Sequence, residues 1–190
     1  MRVKDPAKTA LIHNAALRLT LLHGIDGLKM ADIAKEAGIA TGTLYVYFED
    51  KEALLGSLYA AVQATCRQHL PKAERKEEPF RVLFKNAFIT AQQYWVIHFA
   101  EAIFMDQFYH SSYISAAMKK EPMPLEDYFS LLLAGAKRQL LVKDMDTDLL
   151  LCAITGLLRQ AEMLCVRAEK KLNKPLLEKL FTLCWDGIKA

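Results

Sequence analysis

Between residues 41 and 51 the chain reads TGTLYVYFEDK. The groups on offer are the hydroxyls of Thr41, Thr43, Tyr45 and Tyr47, the small Gly42, the methyls of Val46 and the ammonium of Lys51, with Lys29 a little upstream. Hydroxyls and ammonium groups donate hydrogen bonds to anionic oxygens, while threonine and valine methyls and tyrosine rings make apolar contacts, so the chemistry is recognition. Catalytic arrangements are not expected. The chain has no nucleophile elbow, phosphate loop or paired ExxH motif; HFAE at His98 to Glu101 reverses that order, and His110 has no partner array. This is read as a non-enzyme with no cofactor and no metal site.

Such groups need elements that present them. Apolar residues recur at helical spacing along the whole chain, glycine and proline mark boundaries, and no alternating run between turn signals stands out, so the fold class is all-α. A first helix starts at Asp5-Pro6, a cap followed by proline at the first helical position, and stops at Gly24, with Ile12, Ala15, Ala16 and Leu19 as its inner stripe. Two short helices follow, near Met30 to Ala37 and Thr41 to Tyr47, separated by Gly38. A fourth opens at the capping residue Asp50 and carries Leu54, Leu55, Leu58 and Val62 toward Pro71.

Two short helices joined through a glycine and flanked by longer ones form a helix-turn-helix in sequence. Leu44 and Phe48, four apart, supply the inner face of the second, which leaves Thr41, Gly42, Thr43, Tyr45, Val46 and Tyr47 outward. In a major groove the small residues allow close approach to base edges and the methyls and rings meet thymine methyls. Thr43, Tyr47, Lys51 and the amides at helix starts suit phosphates. Replacing Tyr45 and Tyr47 together should therefore cost DNA affinity and little stability.

The segment Ala10 to Leu55 resembles the N-terminal DNA-binding domain of TetR-family transcriptional regulators. The resemblance is carried by Ala15-Ala16, Gly24, Ile33-Ala34-Lys35-Glu36-Ala37-Gly38, Gly42-Thr43-Leu44-Tyr45-Val46-Tyr47-Phe48 and Lys51-Glu52-Ala53-Leu54. It implies that Thr41, Gly42, Tyr45 and Val46 meet bases and that Thr43, Tyr47 and Lys51 meet phosphates. Lys29 stands where the family has threonine and is expected to add a phosphate contact. Ala40 replaces the usual capping serine, Thr41 a frequent lysine and Thr20 a common core phenylalanine.

Beyond residue 71, PKAERKEEP to residue 79 is almost entirely charged between two prolines and suits a solvated seam. Further helices are expected at Phe80 to Ile97, Ala100 to Ser112, Leu125 to Leu141, Thr147 to Lys171 and Pro175 to Ile188. The division is residues 1–50 as the DNA-binding domain and 51–190 as a helical ligand-binding and dimerisation domain. Tyr94, Trp95, His98, Phe99, Phe104, Met105, Phe108 and Tyr109, with Met163, combine apolar surface with polar tips and are expected to line a pocket. The helix from Thr147 is apolar almost all round in its first half, which calls for cover on several sides. A homodimer is expected through Leu150, Ile154, Gly156, Leu157, Leu177, Leu180, Phe181, Cys184 and Ile188. The resemblance implies a small-molecule effector, largely apolar by the pocket's composition, a palindromic double-stranded DNA operator and repression.

The remaining bounds agree. The 190 residues are 53% hydrophobic and 25% charged with a net charge of +3, enough for a real core and permissive of an anionic partner. No apolar stretch follows the basic first residues, and the longest apolar run, Leu149 to Leu158, is short of the ~18 residues a membrane span needs. A cytoplasmic protein is expected. Cys66, Cys152, Cys165 and Cys184 lack zinc spacing and read as small buried residues. A TetR-like adaptor or a thiol sensor is the competing reading.

Overall fold

The computed structural model describes residues 5–71, 78–116, 118–169 and 172–190. Helices make up the regular structure of these residues apart from one isolated bridge between Val142 and Lys189. They are α1 Pro6–His23, α2 Met30–Glu36, α3 Thr41–Tyr47, α4 Lys51–His69, α5 Phe80–Ile97, α6 Phe99–Tyr109, α7 Pro124–Arg138, α8 Thr147–Arg167 and α9 Lys174–Ile188, with a 3-10 turn at Met118–Lys120. No helix among the described residues is long and apolar enough to cross a membrane. The charged seam falls on residues 72–77, which lie outside the described residues.

Local chemistry sets most boundaries. The Asp5 carboxylate accepts the Ala7 N–H at 2.9 Å, and Gly24 closes α1 at φ +68°, a conformation that favours glycine. Asp50 Oδ1 accepts Ala53 N–H at 2.7 Å, and Asn173 Oδ1 accepts Leu176 N–H at 3.0 Å at the head of α9. Three helices end earlier than expected; for α8, which stops at Arg167, the expected end at Lys171 lies outside the described residues. After α7, Leu140 takes φ +55° and Leu141 N–H returns to Ala136 C=O at 3.0 Å, which turns the chain three residues before the expected Leu141. After α6, Ser111 bonds Phe108 C=O through both its amide and its hydroxyl and stops the helix at Tyr109.

The chain forms two compact units. Unit 1 comprises residues 1–64 with 98–121, and unit 2 comprises 65–97 with 122–190. The boundary at residue 64 falls inside α4, whereas the sequence places a domain division at 50. Unit 1 is built on Ile12, Ala15 and Ala16 of α1, Ile33 of α2, Leu44 of α3 and Leu54 and Leu55 of α4, all fully buried. Phe104 and Phe108 of α6 complete it: their rings stack at 5.6 Å, and Phe108 lies 4.8 Å from Tyr59. Unit 2 centres on Phe84, Phe88, Phe129 and Phe181, packed with Leu133, Ile154, Leu158 and Ile188.

Candidate functional site

The α2–turn–α3 element of unit 1 is the helix-turn-helix that the spacing requires. Gly38, at φ +68°, lets Ile39 N–H reach back to Ala34 C=O at 3.0 Å and turns the chain between the helices. Ile33, Ala34 and Leu44 hold the pair by their buried side chains, and Arg18 of α1 grips Glu36 at 2.7 Å on the exposed side. With α3 so anchored, Thr41, Gly42, Tyr45 and Val46 stand in solvent, Tyr45 and Val46 at 52% and 67% exposure, and Thr43 is half-buried. Neither the Ala40 start of α3 nor the Lys29 start of α2 has a side-chain cap, and Lys29 is exposed.

Tyr47 departs from the outward role expected of it. It is buried at 8% exposure, and its hydroxyl accepts the Asp5 N–H at 3.3 Å. Tyr47 lies three residues from Leu44, on the flank of the same buried stripe, and the start of α1 covers it. Phe48 is inward as expected and stacks on His13 at 5.8 Å, while His13 Nε2 meets Ser57 Oγ at 3.2 Å. Burial lowers the pKa of His13. Lys51 is half-buried; its Nζ donates to Asp26 C=O at 3.2 Å and lies 4.8 Å over the Tyr113 ring, tying the start of α4 to the turn after α1.

Gln107 of α6 gave no signal in the sequence. Its Oε1 accepts the Ile25 N–H at 2.8 Å and lies 3.4 Å from where a Cβ on Gly24 would stand, so α6 fixes the turn leading from α1 into the helix-turn-helix. A polar residue amid apolar Phe104, Met105 and Phe108 was the one trace available, and its partner, 82 residues earlier in the chain, was not legible.

The expected pocket residues fall in both units. Tyr94, Trp95 and Met163 belong to unit 2, where Tyr94 is buried with its ring 4.9 Å from both His69 and Trp95. His98, Phe99, Phe104, Met105, Phe108 and Tyr109 belong to unit 1. Phe104, Met105 and Phe108 are buried, Tyr109 is 36% exposed, and His98 Nδ1 meets Glu101 Oε1 at 3.1 Å.

The expected dimer residues also need correction. Leu150, Ile154, Leu177, Leu180, Phe181, Cys184 and Ile188 are buried and Leu157 is half-buried within a single chain, leaving Gly156 exposed. An apolar helix does need cover on several sides, but α5, α7 and α9 of the same chain supply it. The exposed apolar side chains of these helices include Leu149, Cys152 and Leu164 on α8 and Leu183 on α9. Cys66, Cys165 and Cys184 are buried, and burial pushes the Cys66 thiol up to about 11 and that of Cys184 up to about 12. Among the described residues, no group of three His, Cys, Asp or Glu is placed to hold a metal ion.

Residues 12–58 match the family described as bacterial regulatory proteins, tetR family. An uncharacterized HTH-type transcriptional regulator of Haemophilus influenzae is 33% identical over 94 residues, which span 46% of this chain and half of that relative. Among solved structures, a TetR family transcription regulator from Marinobacter aquaeolei VT8 superposes with a TM-score of 0.85 at 22% identity, covering 100% of this chain and 99% of that one. The Bacillus subtilis transcriptional regulator FadR, solved in complex with stearoyl-CoA, superposes at 0.72 with 18% identity over 94% of this chain and 98% of its own. The fold is thus that of helix-turn-helix regulators with a helical C-terminal part. Residues 12–58 are similar to the tetR family of bacterial regulatory proteins, and the chain as a whole shares the fold of solved structures of that family.

Proposed function

We propose that this DNA-binding regulator occupies a palindromic operator as a homodimer, represses transcription there, and leaves the DNA when a small, largely apolar effector binds. The observation that carries the reading is the exposed face of α3. Thr41, Gly42, Tyr45 and Val46 project from a helix whose opposite face is fully buried at Leu44, the arrangement in which a rigid helix enters a major groove. Thr43, Lys29 and Lys51 flank that face as phosphate donors; Lys51 keeps two of its three N–H donors beyond the bond to Asp26. Tyr47 then acts by holding α3 against the start of α1.

One seven-residue helix reads few base pairs, so two-fold pairing supplies the specificity a regulator needs. In this reading residues 1–50 carry DNA binding, residues 51–190 carry effector binding and dimerisation, and α8 and α9 pair through Leu149, Cys152, Gly156 and Leu183. The stearoyl-CoA held by the Bacillus subtilis structure makes long-chain acyl compounds the first effector class to test.

Selection of binding sites from a random duplex library, at low and near-physiological salt, tests the reading. Recovery of a palindrome with half-sites about one helical turn, ~34 Å, apart supports it. Recovery of no motif at either salt sinks sequence-specific binding and leaves the adaptor role. Sedimentation of the protein alone and with the selected duplex reports the dimer. Acyl compounds titrated into the complex report the effector.

A further inference from the structure

We propose that Gln92 of α5 reads the polar head of an apolar small molecule taken into the interior of unit 2. That head is uncharged and places a hydrogen-bond acceptor beside a donor, as a carboxamide or a protonated carboxylic acid does. The proposal rests on the effector-binding reading and adds the ligand's polar chemistry.

Gln92 has 0% exposure, and neither its Oε1 nor its Nε2 has a hydrogen-bond partner among the described residues. A primary amide carries two N–H donors and a carbonyl acceptor, and a polar group left unmet in apolar surroundings costs about 1–3 kcal/mol. Leucine would fill the same place with no such cost. Phe88 lies one turn before Gln92 and Trp95 one turn after, on the same side of α5, and both pack in the core of unit 2. The amide thus sits between aromatic side chains along the helix, where a bound molecule would find hydrocarbon surface and one bidentate polar group.

The charge of the head follows from the same face. Lys85 lies two turns back, about 10 Å along the axis, and is held by Glu178 at 2.7 Å with Nζ 5.6 Å from the Phe181 ring. On α5 itself, therefore, no unpaired cation stands within reach of an ionised carboxylate, whose burial without a cation is costly. A neutral head that accepts from Nε2 and donates to Oε1 satisfies both sides of the amide.

The test uses the full chain and three probes with one hydrocarbon tail: dodecanamide, dodecanoic acid, and methyl dodecanoate, which accepts but cannot donate. Each is titrated calorimetrically into wild type and Gln92→Leu, and release of the selected duplex is followed in parallel. Wild type is expected to bind the better of the amide and the acid about tenfold more tightly than the ester, the worth of one satisfied hydrogen bond. Gln92→Leu should bind all three alike and, without ligand, melt a few degrees higher. Whether the amide or the acid binds more tightly names the head. Gln92→Met, closer in length, serves if the leucine variant does not fold.

Equal binding of the three probes by wild type, binding of none of them, or an unchanged ranking in the variant overturns the proposal. If the probes release DNA equally from both proteins, the effector reading stands and the role of Gln92 falls. If the ranking collapses in the variant but no probe releases DNA from wild type, Gln92 reads a ligand and the effector reading falls.

Discussion

Tyr45 and Tyr47 stand two residues apart on α3, and substitution should separate them into a DNA-reading residue and a structural one. Tyr47 is 8% exposed and bonded to the Asp5 amide, whereas Tyr45 is 52% exposed. Truncating a buried aromatic to alanine costs about 3–5 kcal/mol, so Tyr47→Ala should lower the thermal midpoint by roughly 10 °C in a chain of this size. Tyr47→Phe keeps the ring and loses one hydrogen bond, worth about 0.5–1.5 kcal/mol, and should cost a few degrees. Tyr45→Ala should leave stability within about 0.5 kcal/mol of wild type while weakening binding to a selected duplex roughly tenfold. Circular dichroism melts and fluorescence anisotropy on the same preparations give both quantities. An unaltered midpoint in Tyr47→Ala would refute the burial argument, and a Tyr45→Ala protein that binds DNA like wild type would remove Tyr45 from the reading face.

Three further outcomes are expected. Gln107→Leu should destabilise unit 1 by about 1–3 kcal/mol, because the buried Ile25 N–H loses its acceptor, and hydrogen exchange at Ile25 should rise with it. His13 has a folded pKa below its ordinary 6.5, so the unfolded chain takes up the proton first; stability should be full above about pH 6.5 and fall as pH drops below it, and His13→Gln should flatten that slope in denaturant titrations. A thiol reagent at pH 8 should label Cys152 in dilute, dissociated protein and more slowly as the proposed α8–α9 dimer forms, and should reach Cys66, Cys165 and Cys184 only on unfolding, which mass spectrometry of the labelled peptides resolves.

What could be read in advance was what is decided within a few residues. Asp5-Pro6, Gly24, Gly38, Asp50 and Pro71 act through caps, fixed dihedrals and missing donors, and the helices they bound stand within a residue or two of expectation. The exposed face of α3 followed from Leu44 and Phe48 alone. Tyr47 departs from the outward role because the buried stripe of α3 is wide enough for three positions where Leu44 and Phe48 mark two, and because the start of α1 that covers it lies 42 residues away. The apolar surface of α8 was legible as a need for cover but not as to which chain supplies it. Gln92 and Gln107 are not legible in the sequence because a lone glutamine on a helix carries no spacing signal. Only packing distinguishes a buried amide from a solvated one.

The pairing of α6 with the first four helices has a consequence for the order in which the molecule is made. Residues 1–64 emerge first from the ribosome, carrying every residue proposed to touch DNA, yet the Ile25 amide awaits Gln107, Tyr59 awaits Phe108 and Lys51 awaits Tyr113. Unit 1 therefore cannot close until synthesis has passed residue 121, by which time residues 65–97 of unit 2 are already out. The nascent helix-turn-helix is an open structure during that interval, and a fragment ending at residue 64 would inherit the same unfinished face.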